Sequence, residues 1–220
     1  MSPSILNSVL ARWLEDQPHL VPGVDCGACT LSAERPHERV RWAAYKCCTF
    51  QPFVACFSAG AMLAEGLDPI TIDGTKALRL PIGIVASKPF RSKREAIPDG
   101  RRGEEQLCTY FDQTARRCGI WRFRPGECSL HFCSGQGASE RERLSHQVFA
   151  LESAVAQMAL IHLGFSARQV GEQIDLLNDP GSSPAELSRS QADELYRAAW
   201  DWARTRERGE ILSWLDSRQS

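Results

Sequence analysis

Residues 108–133 read Cys108-Thr-Tyr-Phe-Asp-Gln-Thr-Ala-Arg-Arg-Cys118-Gly-Ile-Trp-Arg-Phe-Arg-Pro-Gly-Glu-Cys128-Ser-Leu-His-Phe-Cys133. A second cysteine group stands upstream, as Cys26-Gly-Ala-Cys29 followed by the adjacent pair Cys47-Cys48. Eight of the nine cysteines therefore fall into two groups of four. Clustering of this kind needs a chemical reason, and thiolates holding zinc or an iron–sulfur cluster supply the usual one. It also divides the chain into an irregular cysteine-rich half and a remainder free to form regular helices.

Zinc and iron–sulfur clusters both take four ligands as a rule. The two-residue gap between Cys26 and Cys29 lets two thiolates from one turn face the same metal. Cys47 and Cys48 can complete that set, serve another centre, or point apart. The second group has gaps of nine, nine and four residues. These match neither zinc-finger spacings nor the bacterial ferredoxin run, so spacing alone does not identify the metal. Pro125 stands three residues before Cys128, where it stiffens the loop and removes an N–H. Tyr110, Phe111, Trp121, Phe123 and Phe132 can exclude water from such a centre. Arg116, Arg117, Arg122 and Arg124 can offset its negative charge. The plainer account makes the aromatics core and the arginines surface.

Cys56 sits in Phe53-Val-Ala-Cys-Phe57, an apolar setting in which a free cysteine behaves as a small hydrophobe, and it stands outside the ligand set. His131 alternates with its neighbouring cysteines if that segment is extended, which turns it away from them. His162 falls on an apolar helix stripe and is expected as a core histidine. His19, His37 and His146 carry no signal.

The 220 residues suffice for a hydrophobic core without disulfide staples. A hydrophobic share of 43% and a charged share of 24% are ordinary for a globular protein. A net charge of −1 gives no general attraction to nucleic acid or an anionic membrane surface. No stretch approaches the roughly 18 apolar residues of a membrane span. The N-terminus lacks a basic opening, and Asn7 and Arg12 interrupt its apolar run, so it does not read as a secretory signal. A cytoplasmic location follows, where thiols stay reduced and disulfides are disfavoured.

Residues 2–16 have the pattern of a short amphipathic helix opened by Ser2 and Pro3. Residues 58–68 suit a second short helix. Over 69–87 the chain reads as extended, with Asp73-Gly74 as the expected hairpin turn. Leu78, Leu80, Ile82 and Ile84 alternate as in a strand that Pro81 and Gly83 confine to an edge or an irregular ribbon. Residues 88–106, with Lys88, Arg91, Lys93, Arg94, Arg101 and Arg102, read as a solvated polar loop, or else as a docking site for an acidic partner. Three capping boxes announce helices beyond: Ser139–Glu142, Ser166–Gln169 and Ser183–Glu186. The first precedes a stripe of Leu144, Val148, Leu151, Val155, Met158 and His162. The third leads a helix through Leu195, Ala199 and Trp202, and a short terminal helix is expected around 211–214. The fold class is thus mainly α with a small β-ribbon: a cysteine-rich region over 1–136 packed on C-terminal helices over 137–220 as one compact unit.

With these residues in view, the chain resembles the YkgJ-type cysteine-cluster proteins, a zinc- or iron-chelating family. The resemblance rests on Asp25-Cys-Gly-Ala-Cys29, Lys46-Cys-Cys-Thr-Phe50 with Pro52, Leu107-Cys-Thr-Tyr-Phe-Asp112, and Cys118 through Cys133. It covers about half the chain. It implies metal ligation by Cys26, Cys29, Cys47, Cys48, Cys108, Cys118, Cys128 and Cys133, leaving Cys56 out. The chain departs from the family's compact version in the seventeen residues between Cys29 and Cys47, which leaves one shared centre or two as alternatives.

Three functions compete. The first is a cytosolic metal-binding protein holding a cluster, 4Fe-4S ahead of zinc, for metal handling, electron transfer or structural support. The second is an S-adenosylmethionine-dependent protein lysine N-methylase, since one branch of the family resembles flagellin lysine N-methylases. No glycine-rich nucleotide loop after a strand supports it. The third is a metal-stabilised adapter with a protein partner, offering Trp200, Trp202 and Trp214 as a surface. No serine–histidine–aspartate order, phosphate loop or His-Glu-x-x-His motif points to a hydrolase or kinase.

Overall fold

The computed structural model describes residues 50–97, 106–114, 117–120, 123, 125, 126, 128, 138–178, 186–206, 210 and 213. The helix expected over 2–16 and the cysteines from 26 to 48 lie outside them. So do Cys133, His131, Trp214 and the 211–214 helix, apart from Ser213. The described residues are mostly helical, with five α-helices and a small three-stranded antiparallel sheet.

Strand β1 (Val54–Ala55) runs directly into helix α1 (Cys56–Ala64). The segment is mostly small or apolar and free of β-branched residues, and every residue from Cys56 to Leu63 is buried. A helix apolar all round belongs in a core rather than on a surface. Strands β2 (Ala77–Leu80) and β3 (Gly83–Ala86) form a hairpin, and the sheet order is β1-β3-β2. Ala55 pairs with Gly83 and Leu80 also pairs with Gly83, so β3 is the central strand.

The sheet corrects two expectations. The hairpin turns at Pro81-Ile82, not at Asp73-Gly74, and the run from Leu78 to Ile84 is two strands, not one. Pro81 has no N–H to give a ladder and its fixed φ suits a turn. Gly83 has φ +146°, and a Cβ there would collide with the Val54 carbonyl. Only glycine lets β1 come this close to β3. Asp73 instead makes a local turn, accepting the Thr75 amide at 2.9 Å and the Thr75 hydroxyl at 2.6 Å.

The expected polar loop contains helix α2 (Lys88–Ala96). Ser87 caps it by accepting the Phe90 amide at 3.3 Å, Pro89 stands in its first turn, and Lys93 and Arg94 occupy its last. Cations there suit the negative end of the helix dipole. Phe90 is its buried anchor.

Helix α3 (Ala138–His162) starts one residue before Ser139, which therefore lies inside the helix instead of capping it. Val148 and Val155 of the apolar stripe are buried, and Leu151 and Met158 are half-buried. His162 is corrected: it is exposed and lies against the Trp202 ring, centroid to centroid 5.7 Å. The stripe runs off the core at the last turn of α3. Helix α4 (Ala167–Asn178) is opened by the expected box, with Ser166 and Gln169 bonded reciprocally.

Helix α5 (Arg189–Ala203) has a different box from the expected one: Ser188 accepts the Gln191 amide and Gln191 accepts the Ser188 amide. Ser183 lies outside the described residues, and Glu186 is engaged elsewhere. Its carboxylate pairs with Arg79 at 2.7 Å while the Leu187 amide donates to the Arg79 carbonyl at 2.8 Å. The approach to α5 is thus laid along the edge of β2.

A single apolar core joins α1, the sheet, α3 and α5, drawing on residues either side of position 136. α1 and α5 are the most closely packed elements. The Tyr196 hydroxyl of α5 crosses to the Leu80 carbonyl at 2.8 Å, tying helix to sheet. No helix among the described residues is long and apolar enough to cross a membrane.

Candidate metal centre

Gln106 and Leu107 are buried and lead Cys108 to the edge of the core. The Cys108 carbonyl accepts the Phe111 amide at 3.0 Å, closing a tight turn over Thr109 and Tyr110. A two-stranded ribbon follows, β4 (Phe111–Asp112) against β5 (Arg117–Cys118). Phe111 is the partner of Cys118, and the Gly119 amide donates to the Tyr110 carbonyl at 2.7 Å. Asp112 helps reverse the chain by accepting the Thr114 amide at 2.9 Å.

Cys108 thus opens the turn that leads into the ribbon and Cys118 lies on the ribbon, ten residues further along, with both sulfurs within electrostatic reach of the Tyr110 phenol. Both are half-buried and pack against the apolar core. The Tyr110 amide points at the Cys108 sulfur, 3.4 Å away. An N–H directed at sulfur favours the thiolate over the thiol. Tyr110 itself is buried, and its hydroxyl donates to the Pro69 carbonyl at 3.2 Å. Burial holds that phenol well above the usual range, negative charge on Cys108 and Cys118 pushes it the same way, and a hydrogen bond with Thr109 offsets part of this. The phenol thus stays neutral beside the two sulfurs.

Cys128 follows a turn in which its amide donates to the Pro125 carbonyl at 3.0 Å. That turn is docked on α3, where the Glu152 carboxylate accepts the Gly126 amide at 2.9 Å. Phe123 and Ile120 are buried, which suits aromatic shielding and plain core packing alike. Phe111 is half-buried.

Of the eight cysteines in the expected ligand set, Cys26, Cys29, Cys47, Cys48 and Cys133 lie outside the described residues. Cys118 lies on the ribbon, Cys108 opens the turn before it, and Cys128 sits on a separate turn. Among the described residues no three His, Cys, Asp or Glu side chains gather as a metal-ligand group. The four described cysteines, Cys56, Cys108, Cys118 and Cys128, form no disulfide with one another. Two half-buried sulfurs, one facing an amide, suit a tetrathiolate site in donor type.

Cys56 is 0% exposed, inside the core at the first turn of α1. Burial pushes its thiol up to about 12, against the smaller opposing pull of the Phe57 and Cys56 backbone amides. It is an inert core thiol.

Two residues of this region carry no motif in the sequence, Gln51 and Glu152, and Thr109 enters only as part of the stretch 107–112. The Gln51 side-chain oxygen accepts the Thr109 amide at 3.0 Å and the Thr109 hydroxyl at 2.8 Å. Glu152 did leave a signal. It falls between Val148 and Val155 at helical spacing, a carboxylate on an apolar stripe.

Comparison with protein-family models, with curated proteins and with solved structures finds no match.

Proposed function

We propose that this chain is a cytoplasmic metal-binding protein whose clustered cysteine thiolates hold an iron–sulfur cluster or zinc. Cys108 and Cys118 supply one pair of ligands. Cys128, Cys133, Cys26, Cys29, Cys47 and Cys48 are the pool from which the remaining ligands come, for one centre or two. The resemblance to YkgJ-type proteins and the two-group cysteine pattern both support it. The observation that supports it best is the turn and ribbon over 108–118, where the Tyr110 amide is aimed at the Cys108 sulfur and both Cys108 and Cys118 act on the buried, neutral Tyr110 phenol. A bound metal or cluster would cross-link segments distant in sequence, and an iron–sulfur cluster would add one-electron chemistry. The roles that fit are structural support, metal handling or electron transfer, with a protein as the partner in the last two.

The test is anaerobic purification of the full chain, followed by metal and sulfide analysis and a visible spectrum. Iron with sulfide and broad absorption near ~400 nm identifies a cluster. A colourless chain with stoichiometric zinc identifies a zinc site. A fully folded chain that carries and takes up neither rules the proposal out.

A further inference from the structure

Two buried polar side chains lie beneath the cysteine-bearing segments. Gln51 is 2% exposed and accepts two hydrogen bonds from Thr109, the residue after Cys108. Glu152 is 1% exposed and accepts the amide of Gly126, two residues before Cys128. Burying an amide or a carboxylate is costly unless its polar atoms are satisfied, so each side chain dictates where its donor must lie. In both cases that donor includes a main-chain N–H. A cysteine has a single rotor between backbone and sulfur, so fixing the main chain beside it restricts the sulfur to a few positions.

Packing strengthens both anchors. A Cβ on Gly126 would overlap Val148, so the Cys128 turn lies flush on α3 with no room to slide. Tyr110, next to Thr109, is buried and tied to Pro69. Gln51 precedes β1, and the Glu152 side chain reaches off its own helix to the Gly126 amide.

From these contacts we infer that Gln51 and Glu152 are positioning residues of the thiolate centre, holding Cys108 and Cys128 in ligating geometry through Thr109 and Gly126. The inference rests on the metal-binding proposal above. Neither residue touches the metal. Each tunes how firmly it is held.

The full-length wild type is loaded anaerobically with Co2+ and, separately, with iron plus sulfide. Variants are compared in the form the wild type takes up, by absorption spectrum, by rate of metal release to a chelator, and by unfolding midpoint without metal. Gln51→Ala and Glu152→Ala should release metal about tenfold faster or more, with displaced thiolate-to-metal bands. Glu152→Gln keeps an acceptor oxygen for Gly126 and should restore wild-type release. Thr109→Val removes the hydroxyl's bonds to Gln51 and Tyr110 but keeps the Thr109 amide bond to Gln51, and should shift release in the same direction by less. If the alanine variants do not fold, Thr109→Val and Glu152→Gln decide: faster release from the first with wild-type release from the second supports the inference. Release and band positions like wild type in every folded variant, with only the midpoint lowered, would show the two side chains to be plain core and overturn it. A wild type that binds neither probe removes the metal-binding proposal itself, and that outcome is read on the wild type alone.

Discussion

Gly60 of α1 meets the Tyr196 carbonyl of α5 so closely that a Cβ at position 60 would overlap it, and would also lie 2.8 Å from the Trp200 Cβ. The two helices touch backbone to backbone at this point. The pair fixes how deeply α5 seats, and with it the Tyr196 hydroxyl bond to Leu80.

Gly60→Ala should therefore separate α1 from α5. Overpacking of this kind costs about 1–3 kcal/mol. A urea titration should show a lower midpoint, and an unchanged one would mean that the helices part without penalty.

Cys118→Ala and Cys108→Ala should each lower the metal retained after anaerobic purification, while Cys56→Ala should leave it at the wild-type level. The Cys56 change removes one sulfur from the core and should cost about 1–2 kcal/mol of stability. Metal content by elemental analysis checks the first, and denaturant unfolding the second. Loss of metal in Cys56→Ala would return that residue to the ligand set.

Cys56 should also resist alkylation in the folded chain at pH 8. Its thiol, pushed up to about 12 and fully buried, presents almost no thiolate. Mass spectrometry after iodoacetamide treatment should find it unmodified until denaturant is added. Prompt labelling in the native chain would place it at the surface.

Asp68 should contribute acid sensitivity. Burial raises its pKa, but the Thr71 hydroxyl and amide, Arg189 and the Ile70 amide together hold it below the ordinary 3.8. A carboxyl depressed in the folded chain stabilises it above the unfolded value, and that stabilisation is lost as pH falls through the folded value. The stability difference between wild type and Asp68→Asn should be present at neutral pH and shrink below about pH 4. The side chain is well exposed, so the effect is small and screened by salt. Denaturation midpoints at several pH values check it, and a gap that widens in acid would reverse the assigned sign.

Much of the helical half was legible because its signals are local. The Ser166–Gln169 box and the Val148–Val155 stripe need only neighbours three or four residues away. Cys56 was legible as a core residue from its apolar surroundings. Helix α2 escaped notice because its evidence is one buried anchor, Phe90, and one cap, Ser87, set among charges. The start of α5 was displaced because Glu186 pairs with Arg79, 107 positions away in sequence, and leaves capping to Ser188. In the candidate site, residue types and grouping named Cys108 and Cys118 but gave no hint of Gln51, whose contact with Thr109 spans 58 positions.

Sequence alone determined which residues are candidates for the chemistry, that much of the last third is helical, and that the cysteines form two groups. Local periodicity, capping and the scarcity of thiols are sufficient for that. Tertiary structure alone decided that the sheet turns at Pro81-Ile82, that β3 is central, that the Tyr110 amide faces the Cys108 sulfur, and that Gln51 and Glu152 anchor Thr109 and Gly126 beside the cysteines. Those features depend on close backbone approaches and on hydrogen bonds between distant residues. Such contacts come into being only when the whole core packs, so no short stretch of chain encodes them.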